Sequence, residues 1–338
     1  MKQIIVRLLK WLGLALGLAV IVLAVYVFRT WDRTWDAPLP DLHASTDPAM
    51  IARGEYLIFG PAHCVECHTE SNEAYERYAQ TGERPPLMGG VKFPAPPLGA
   101  IYSKNITPDR ETGIGRYSDP QIARMIRYAV RPDGKASIRP LMPFGDVSDE
   151  DIVGILSFLR AQAPIRHEVP DAEWTLIGKV IKSLVVVFKP RTEVNAKKTA
   201  PAQQPTKERG EYLARGLSDC TGCHSPLNQL TFALDGPEFS GGVAMEPRAI
   251  SGVDKSLWFA PPNLTPLKGS ALNRFPDRET FIARFQHGGR KFAGSPMPWE
   301  CFGKLTAEDA GALYEFLHSV PAAGQASPEQ PTVKQGAD

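Results

Sequence analysis

The first long apolar stretch of the chain lies near its N-terminus. Residues 11–28 (WLGLALGLAVIVLAVYVF) are 18 consecutive positions without a charge. As an α-helix that rises about 1.5 Å per residue, this stretch is about 27 Å long, close to the hydrocarbon thickness of a bilayer. Basic residues precede the stretch, whereas the arginines after it are offset by aspartates. This bias favours a cytoplasmic N-terminus followed by a transmembrane anchor, both within residues 1–30.

The rest of the chain repeats one pattern of apolar and polar positions. The pentapeptide RGEYL begins at Arg53 and again at Arg209, and a CxxCH motif begins eleven residues after each arginine. A GGV triplet, an N-x-T-P loop and a Met-Pro-aromatic triplet then follow in the same order in both copies. We therefore predict a duplicated domain of about 115 residues. Its copies occupy residues 47–165 and 206–320.

The fold class that we predict is all-α, with a helix at each end of both copies. Each copy ends in a helix that starts with a capping residue and carries Phe158 or Phe316 at a matching position. The N-terminal helix of each copy contains a glycine, Gly54 or Gly210. We expect these glycines to permit a close crossing of the two helices.

A different pattern separates the copies, in residues 166–205. Residues 174–188 are expected to form a helix whose apolar face is made of Trp174, Ile177, Ile181, Leu184 and Phe188. Two lysines make this segment too charged to span a membrane. It packs on a domain, lies on the membrane surface or docks a partner subunit, and amphipathicity leaves these alternatives open. Residues 190–208 have the composition of a flexible tether, and residues 321–338 that of a disordered tail.

Composition excludes several functions. The net charge is +1, and no basic stripe is interleaved with aromatic residues, so no nucleic-acid partner is expected. Four of the five cysteines fall in two identical short patterns, whereas a disulfide framework would scatter them. There is also no catalytic triad, carboxylate pair or phosphate loop that would indicate bond-making chemistry.

The two CxxCH motifs contain the residues Cys64, Cys67 and His68, and Cys220, Cys223 and His224. Two cysteines three positions apart lie on one side of a helical turn, where both sulfurs reach the vinyl groups along one haem edge and the histidine reaches the iron. A zinc site would lack ligands in each copy, and a redox-active CxxC has no use for the histidine. We therefore predict two covalently bound haem c groups.

Two methionines recur at matching distances from these motifs. Met142 and Met297 lie 78 and 77 residues after the first cysteine of their copies, and each is followed by proline and an aromatic residue. A methionine thioether is a soft, neutral donor that stabilises ferrous iron. An isolated methionine is usually core filler, but the paired context predicts axial ligands. The predicted iron ligands are therefore His68, Met142, His224 and Met297.

The remaining candidates are weaker. Asn105 and Asn263 open loops that we expect to turn the chain near the haem propionates. Cys301 has no counterpart in the first copy and is predicted to be a small buried apolar residue. Some histidines also lack a repeat counterpart and are interpreted as structural or surface residues, namely His63, His167, His287 and His318.

A family resemblance rests on the stretch NITPDRETGIGRYSDPQIARMIRYAVRPDG, the later LMPF, and GEYL before CVECH. Residues 48–320 resemble the cytochrome c subunits of membrane-bound bacterial alcohol and aldehyde dehydrogenases. The resemblance implies two class I cytochrome c domains in tandem, with histidine and methionine as iron ligands. Those subunits typically carry three CxxCH motifs, whereas this chain has two, and its predicted membrane attachment is an N-terminal span.

The resemblance implies an electron carrier of the respiratory chain. Its donor would be a periplasmic dehydrogenase subunit, and its acceptor would be a membrane quinone, an oxidase or another cytochrome. Haem c is attached outside the cytoplasmic membrane, so both copies are expected in the periplasm of a single-pass inner-membrane protein. The alternative function is a dihaem cytochrome c peroxidase, which needs one open or displaceable iron position. Two equivalent methionines favour two closed carriers.

Overall fold

The computed structural model describes residues 2–228, 231–327 and 332–333 of the chain. The helices before residue 200 are α1 Lys2–Thr30, α2 Pro48–Phe59, α3 Cys64–His68, α4 Asn72–Thr81, α5 Asp119–Tyr128, α6 Asp149–Ala161 and α7 Leu176–Leu184. Those after it are α8 Lys207–Tyr212, α9 Cys220–His224, α10 Arg278–Gly288, α11 Trp299–Phe302 and α12 Ala307–Ser319. The strands are β1 Lys92–Ala95, β2 Gly99–Tyr102, β3 Glu173–Trp174, β4 Leu257–Trp258 and β5 Thr332–Val333.

The predicted helical character is confirmed, with small strands that the pattern did not predict. β1 and β2 form an antiparallel hairpin, and β3 pairs with β2 through Gly99 and Trp174. A Cβ atom on Gly99 would lie 1.8 Å from the Glu173 carbonyl oxygen, so only glycine permits this approach. Proline-rich residues around the hairpin hide it from a pattern of alternating hydrophobicity.

Helix α1 is the apolar N-terminal helix that the pattern predicted. Among the described residues it is the one helix long and apolar enough to cross a membrane, judged by length and composition. Its side chains are exposed on every face, and Val27 is its buried residue. A helix that is apolar all round needs an apolar environment.

The two copies are called here the first half, residues 47–165, and the second half, residues 206–320. In each half the first helix crosses the last: α2 against α6, and α8 against α12. A Cβ atom on Gly54 would lie 1.9 Å from the Gly154 carbonyl oxygen, and one on Gly210 would lie 1.9 Å from that of Ala312. The predicted close crossings at both glycines are therefore confirmed.

The predicted caps of the final helices are also present. The Ser148 hydroxyl accepts a hydrogen bond from the Asp151 amide at 3.1 Å, and the Thr306 hydroxyl accepts one from the Asp309 amide at 3.2 Å. Each hydroxyl satisfies an amide that has no partner within the first helical turn. The second half also contains a π-helical turn, Leu213–Leu217, which continues from α8.

The two halves pack on each other and share one buried cluster of apolar side chains. Reciprocal hydrogen bonds cross the interface: the Tyr56 hydroxyl donates to Asp309, and the Tyr212 hydroxyl donates to Asp151, both at 2.6 Å. Cys301 is fully buried in this cluster, with its Sγ 3.6 Å from the Tyr75 hydroxyl. The prediction that Cys301 is buried is therefore confirmed.

The segment that was predicted to be a flexible tether is bound to the first half, so that prediction is wrong. The amides of Asp149 and Glu150 donate to the carbonyl oxygens of Lys197 and Lys198 at 2.9 and 3.0 Å. Amides in the first turn of a helix have no partner within that helix. The linker therefore provides the hydrogen-bond acceptors that the amides in the first turn of α6 lack.

Helix α7 confirms only part of the predicted apolar face. Trp174 and Phe188 flank the helix and pack edge to face, with ring centroids 5.7 Å apart. Ile177 and Leu184 remain exposed. The helix contacts the C-terminal end of α1, where the ammonium groups of its two lysines lie 4.6 and 5.3 Å from the centre of the Trp31 ring.

Part of the predicted disordered tail lies against the second half. The side-chain amide of Asn263 donates to the carbonyl oxygens of Ala323 and Gln325 at 2.7 and 3.0 Å. The Ser327 hydroxyl accepts from the Asn263 backbone amide at 2.6 Å. Ordered packing therefore continues past the predicted boundary at residue 320. Residues 328–331 and 334–338 of the predicted tail lie outside the described residues.

Candidate haem-binding sites

Each CxxCH motif forms one short helical turn, and the backbone enters both turns in the same conformation. The first CxxCH turn is α3 and the second is α9. The residue before each turn adopts a left-handed backbone conformation, with φ of 39° at His63 and 45° at Asp219. Residues other than glycine seldom adopt this conformation. Its occurrence directly before both motifs indicates that the surrounding structure imposes it in each half.

The histidine of each motif is held by one backbone carbonyl group. Nδ1 of His68 donates to the Lys104 oxygen, and Nδ1 of His224 donates to the Pro262 oxygen, both at 2.8 Å. Burial lowers the pKa of both imidazoles, which favours the neutral form. With the proton on Nδ1, the lone pair of Nε2 is available to a metal, and such a hydrogen bond is typical of metal-ligating histidines.

The GGV triplets close against the CxxCH turns. The Gly89 amide donates to the His68 oxygen at 2.8 Å, and the Gly241 amide donates to the His224 oxygen at 2.9 Å. Gly89 has a φ of 68°, and a Cβ atom there would lie 2.4 Å from the Lys104 carbonyl carbon. The glycine thus lets the chain that supports the histidine approach the turn closely.

The N-x-T-P loops have a role that the sequence did not reveal. The side chains of Asn105 and Asn263 are buried, and each accepts from the amide and hydroxyl of the threonine two residues later. The Asn105 side-chain amide donates to the Ile165 oxygen at 2.8 Å. Each asparagine therefore binds the chain that follows the last helix of its half. The residue directly before each asparagine provides the carbonyl oxygen that binds the motif histidine. Proximity to propionates stays a prediction.

The cysteines of both motifs are free and available for thioether attachment. None of the five cysteines, all of which lie in the described residues, forms a disulfide. Burial raises the pKa of the Cys64 thiol to about 12. Within residues 2–228, 231–327 and 332–333, no group of three or more His, Cys, Asp or Glu side chains is arranged to hold a metal ion.

The two candidate methionines lie in different local structure but in similar surroundings. Met142 follows a short 3-10 turn, Arg139–Leu141, and Met297 lies just before α11. Both side chains are half-buried and pack against the shared apolar cluster. Their ligation of iron remains a prediction.

The histidines without a repeat counterpart are scattered. His63 contacts the Phe302 ring across the interface between the halves, with centroids 5.5 Å apart. His287 and His318 are exposed, and His318 stacks on Tyr314. These surroundings are consistent with the predicted structural or surface roles.

Sequence reasoning missed two arginines that hold the backbone beside the candidate methionines. Nη2 of Arg191 donates to the Met142 and Arg139 carbonyl oxygens, and burial lowers the pKa of Arg191 to about 10. Nε of Arg248 donates to the Ser295 oxygen at 3.2 Å, two residues before Met297. These arginines do not occupy equivalent repeat positions, so no sequence signal identified them.

No protein-family model matches the chain. Comparison with curated proteins finds several relatives. The cytochrome c subunit of a quinone-dependent alcohol dehydrogenase from Gluconobacter oxydans is 34% identical over 295 residues, which cover 82% of this chain and 56% of that subunit. The gluconate 2-dehydrogenase cytochrome c subunit of Pantoea cypripedii is 35% identical over 185 residues, 53% of this chain and 38% of that subunit. A dihaem cytochrome c of Cereibacter sphaeroides is 26% identical over 66% of this chain.

The homologues of this chain include cytochrome c subunits of alcohol, fructose and gluconate dehydrogenases and a dihaem cytochrome c. The predicted resemblance to dehydrogenase cytochrome c subunits is therefore confirmed, and such homologues imply covalently bound haem c. The chain spans about half the length of the dehydrogenase subunits that it matches. Both CxxCH turns are compatible with haem c, since each holds two cysteines outside any disulfide and a histidine whose Nδ1 donates to a backbone carbonyl group.

Proposed function

We propose that this chain is a membrane-anchored dihaem cytochrome c that takes electrons from a periplasmic dehydrogenase. Its acceptor is a quinone, a terminal oxidase or another cytochrome of the respiratory chain. The two halves are tandem class I cytochrome c domains. The single observation that carries the proposal is the double occurrence of a CxxCH turn whose histidine is fixed at Nδ1 by a backbone carbonyl group at 2.8 Å.

In this proposal each half holds one haem. The first haem is attached to Cys64 and Cys67 and the second to Cys220 and Cys223, and the iron ligands are those predicted from the sequence, His68, Met142, His224 and Met297. Bound haem supplies one-electron chemistry. The protein residues attach it, orient the imidazole and exclude water through the shared apolar cluster.

A test of attachment uses denatured protein. Because thioether bonds survive denaturation, the full chain should retain haem on a denaturing gel and carry the mass of two haems. The double substitution Cys220→Ala with Cys223→Ala should leave one haem. Cys301→Ala is the matched control and should keep both, since Cys301 lies outside the motifs. A full-length chain without covalent haem contradicts the proposal.

A second test addresses the iron ligands. Ferric iron with a methionine ligand has a weak far-red sulfur-to-iron band. We expect Met142→His and Met297→His each to remove one share of this band. Each should also lower the potential of its own haem, because imidazole replaces a soft thioether. Met245→His is the control, since Met245 has no counterpart at a matching distance from the first motif. Full band intensity in both ligand variants rules these methionines out.

The carrier is separated from a dihaem peroxidase by turnover. Two filled iron positions should make the reaction with peroxide no faster than that of a closed cytochrome, while electrons exchange quickly with a dehydrogenase from the same cell. Fast peroxide turnover at catalytic protein concentrations would favour the peroxidase.

Membrane anchoring is supported by α1 and by its neighbour α7. Apolar side chains on and just after α7 are exposed beside the end of α1, namely Leu176, Ile177, Leu184 and Val186. The lysines of α7 contact Trp31, which follows α1 directly. A helix placed at the exit of a membrane span meets the bilayer surface, so the lipid surface is the partner that we propose for α7.

Vesicle binding tests this placement. A chain without residues 1–30 should keep its haem spectrum and bind anionic lipid vesicles weakly through α7. Ile177→Ser with Leu184→Ser should abolish that binding. Leu234→Ser, which removes an exposed leucine in the second half, should not. If the truncated chain ignores vesicles, α7 does not rest on the membrane.

A further inference from the structure

A buried ion pair joins the two halves between the candidate haem sites. Glu66 lies inside the first CxxCH turn, and its carboxylate pairs with the guanidinium of Arg248 from the second half. Their side chains are only 18% and 8% exposed. The guanidinium also lies over the Tyr75 ring, 4.6 Å from its centre. Removing one partner of such a pair leaves the other as an uncompensated, largely buried charge.

The same guanidinium holds the chain that leads to Met297. Nε of Arg248 donates to the Ser295 oxygen and Nη2 to the Pro296 oxygen, each at 3.2 Å. These carbonyl groups belong to the two residues directly before Met297. A planar guanidinium can serve these acceptors and a carboxylate together, which a lysine ammonium does less well. Arg248 therefore connects the first CxxCH turn, through Glu66, with the segment that leads to Met297 in the second half.

We propose that Arg248 is a positioning residue shared by both haem sites. It holds the segment that carries Met297 in the second half and fixes the charge of Glu66 beside the first haem. The inference rests on the proposed dihaem function. Removing one cation should therefore weaken the Met297–iron bond and shift the potentials of both haems downwards, since net charge near a cofactor tunes its potential.

The test compares Arg248→Gln with a matched arginine. Arg290 is 10% exposed and also bridges the halves, through Glu76 and Glu300 at 2.8 and 3.0 Å. All variants should retain two covalent haems. Arg248→Gln should lose the share of the sulfur-to-iron band that Met297→His removes, and both potentials should fall. Arg290→Gln should keep the full band.

Two further variants separate the two contacts of Arg248. Glu66→Gln should leave the band unchanged and raise the potential of the first haem, because a negative charge is removed. Arg248→Lys keeps the positive charge, so the potential of the first haem should stay near that of the parent. It loses the planar set of donors that holds the segment before Met297, so the sulfur-to-iron band should weaken. This variant also serves if Arg248→Gln does not fold.

The outcomes distinguish this inference from the proposed function. A parent chain without covalent haem contradicts the dihaem function itself. A parent with two haems whose band and potentials survive Arg248→Gln overturns only the role of Arg248. Loss of the band in Arg290→Gln as well would show that any weakening of the interface suffices, and it would equally overturn a specific role.

Discussion

The same pentapeptide, RGEYL, has two different environments in the two halves. In the first half, Arg53 makes one hydrogen bond to Asp151 at 2.6 Å, and its side chain is 25% exposed. In the second half, Arg209 makes two hydrogen bonds to Asp309 at 2.7 and 2.9 Å, and its side chain is 1% exposed. The same five residues therefore form a partly exposed ion pair with one hydrogen bond in the first half and a buried, bidentate ion pair in the second.

The linker between the halves causes the difference. The Pro201 oxygen accepts from Nη1 of Arg209 at 3.3 Å, and the Gln203 side-chain amide donates to Asp309 at 3.3 Å. The linker thus covers the second ion pair, whereas the Arg53 side chain of the first pair stays partly exposed. Burial of an ion pair is set by what covers it and not by the residues that form it.

The largest expected effect is the loss of Arg209. Arg209→Leu should lower the free energy of unfolding by about 3–5 kcal/mol, because it leaves Asp309 charged and fully buried. Arg53→Leu should cost less, about 1.5–3 kcal/mol, because it removes only one hydrogen bond to the buried carboxylate of Asp151 and a side chain that is itself partly exposed. Chemical denaturation of the full chain in detergent measures both. Equal losses would contradict the idea that the linker separates the two environments.

The helix crossings give the next largest effect. Gly54→Ala and Gly210→Ala should each cost about 3 kcal/mol, because the new Cβ would overlap a carbonyl oxygen at 1.9 Å. Gly154→Ala copies into the first half the alanine found at Ala312. Its Cβ would meet its nearest atom at 3.4 Å, so we expect a change below about 1 kcal/mol, towards greater stability.

Thermal and chemical denaturation both report this difference. Gly216→Ala is a control, since no atom lies within 4 Å of its added Cβ. If Gly154→Ala is as damaging as Gly54→Ala, the two crossings are not equivalent.

The smallest effect concerns the tyrosines that cross the interface. Tyr56→Phe and Tyr212→Phe should each cost about 1–2 kcal/mol, because each removes one donor to a buried aspartate. Similar losses would support the reciprocal arrangement of the halves. Tyr102→Phe removes an exposed hydrogen bond to Glu173 and should change stability by less than about 0.5 kcal/mol. A loss confined to one interface tyrosine would break the reciprocity.

Several features of this protein were determined by the sequence alone. The apolar helix α1, the helical character, the capped final helices and the close crossings at Gly54 and Gly210 followed from local chemistry and from the repeat. These signals are readable because a helix period, a cap or a glycine acts within a few residues of its own position.

The tertiary structure alone decided how the halves meet. The supposed tether became part of the first half because its carbonyl groups satisfy open amides of α6. Arg248 and Glu66, 182 positions apart, form a buried pair that no local pattern records. A long-range contact depends on how several elements pack together, so its partners carry no signature in their own neighbourhoods. The short CxxCH motifs could therefore be recognised in the sequence, and they predicted where each haem attaches. Only the fold brought Glu66 of the first motif against Arg248 of the second half.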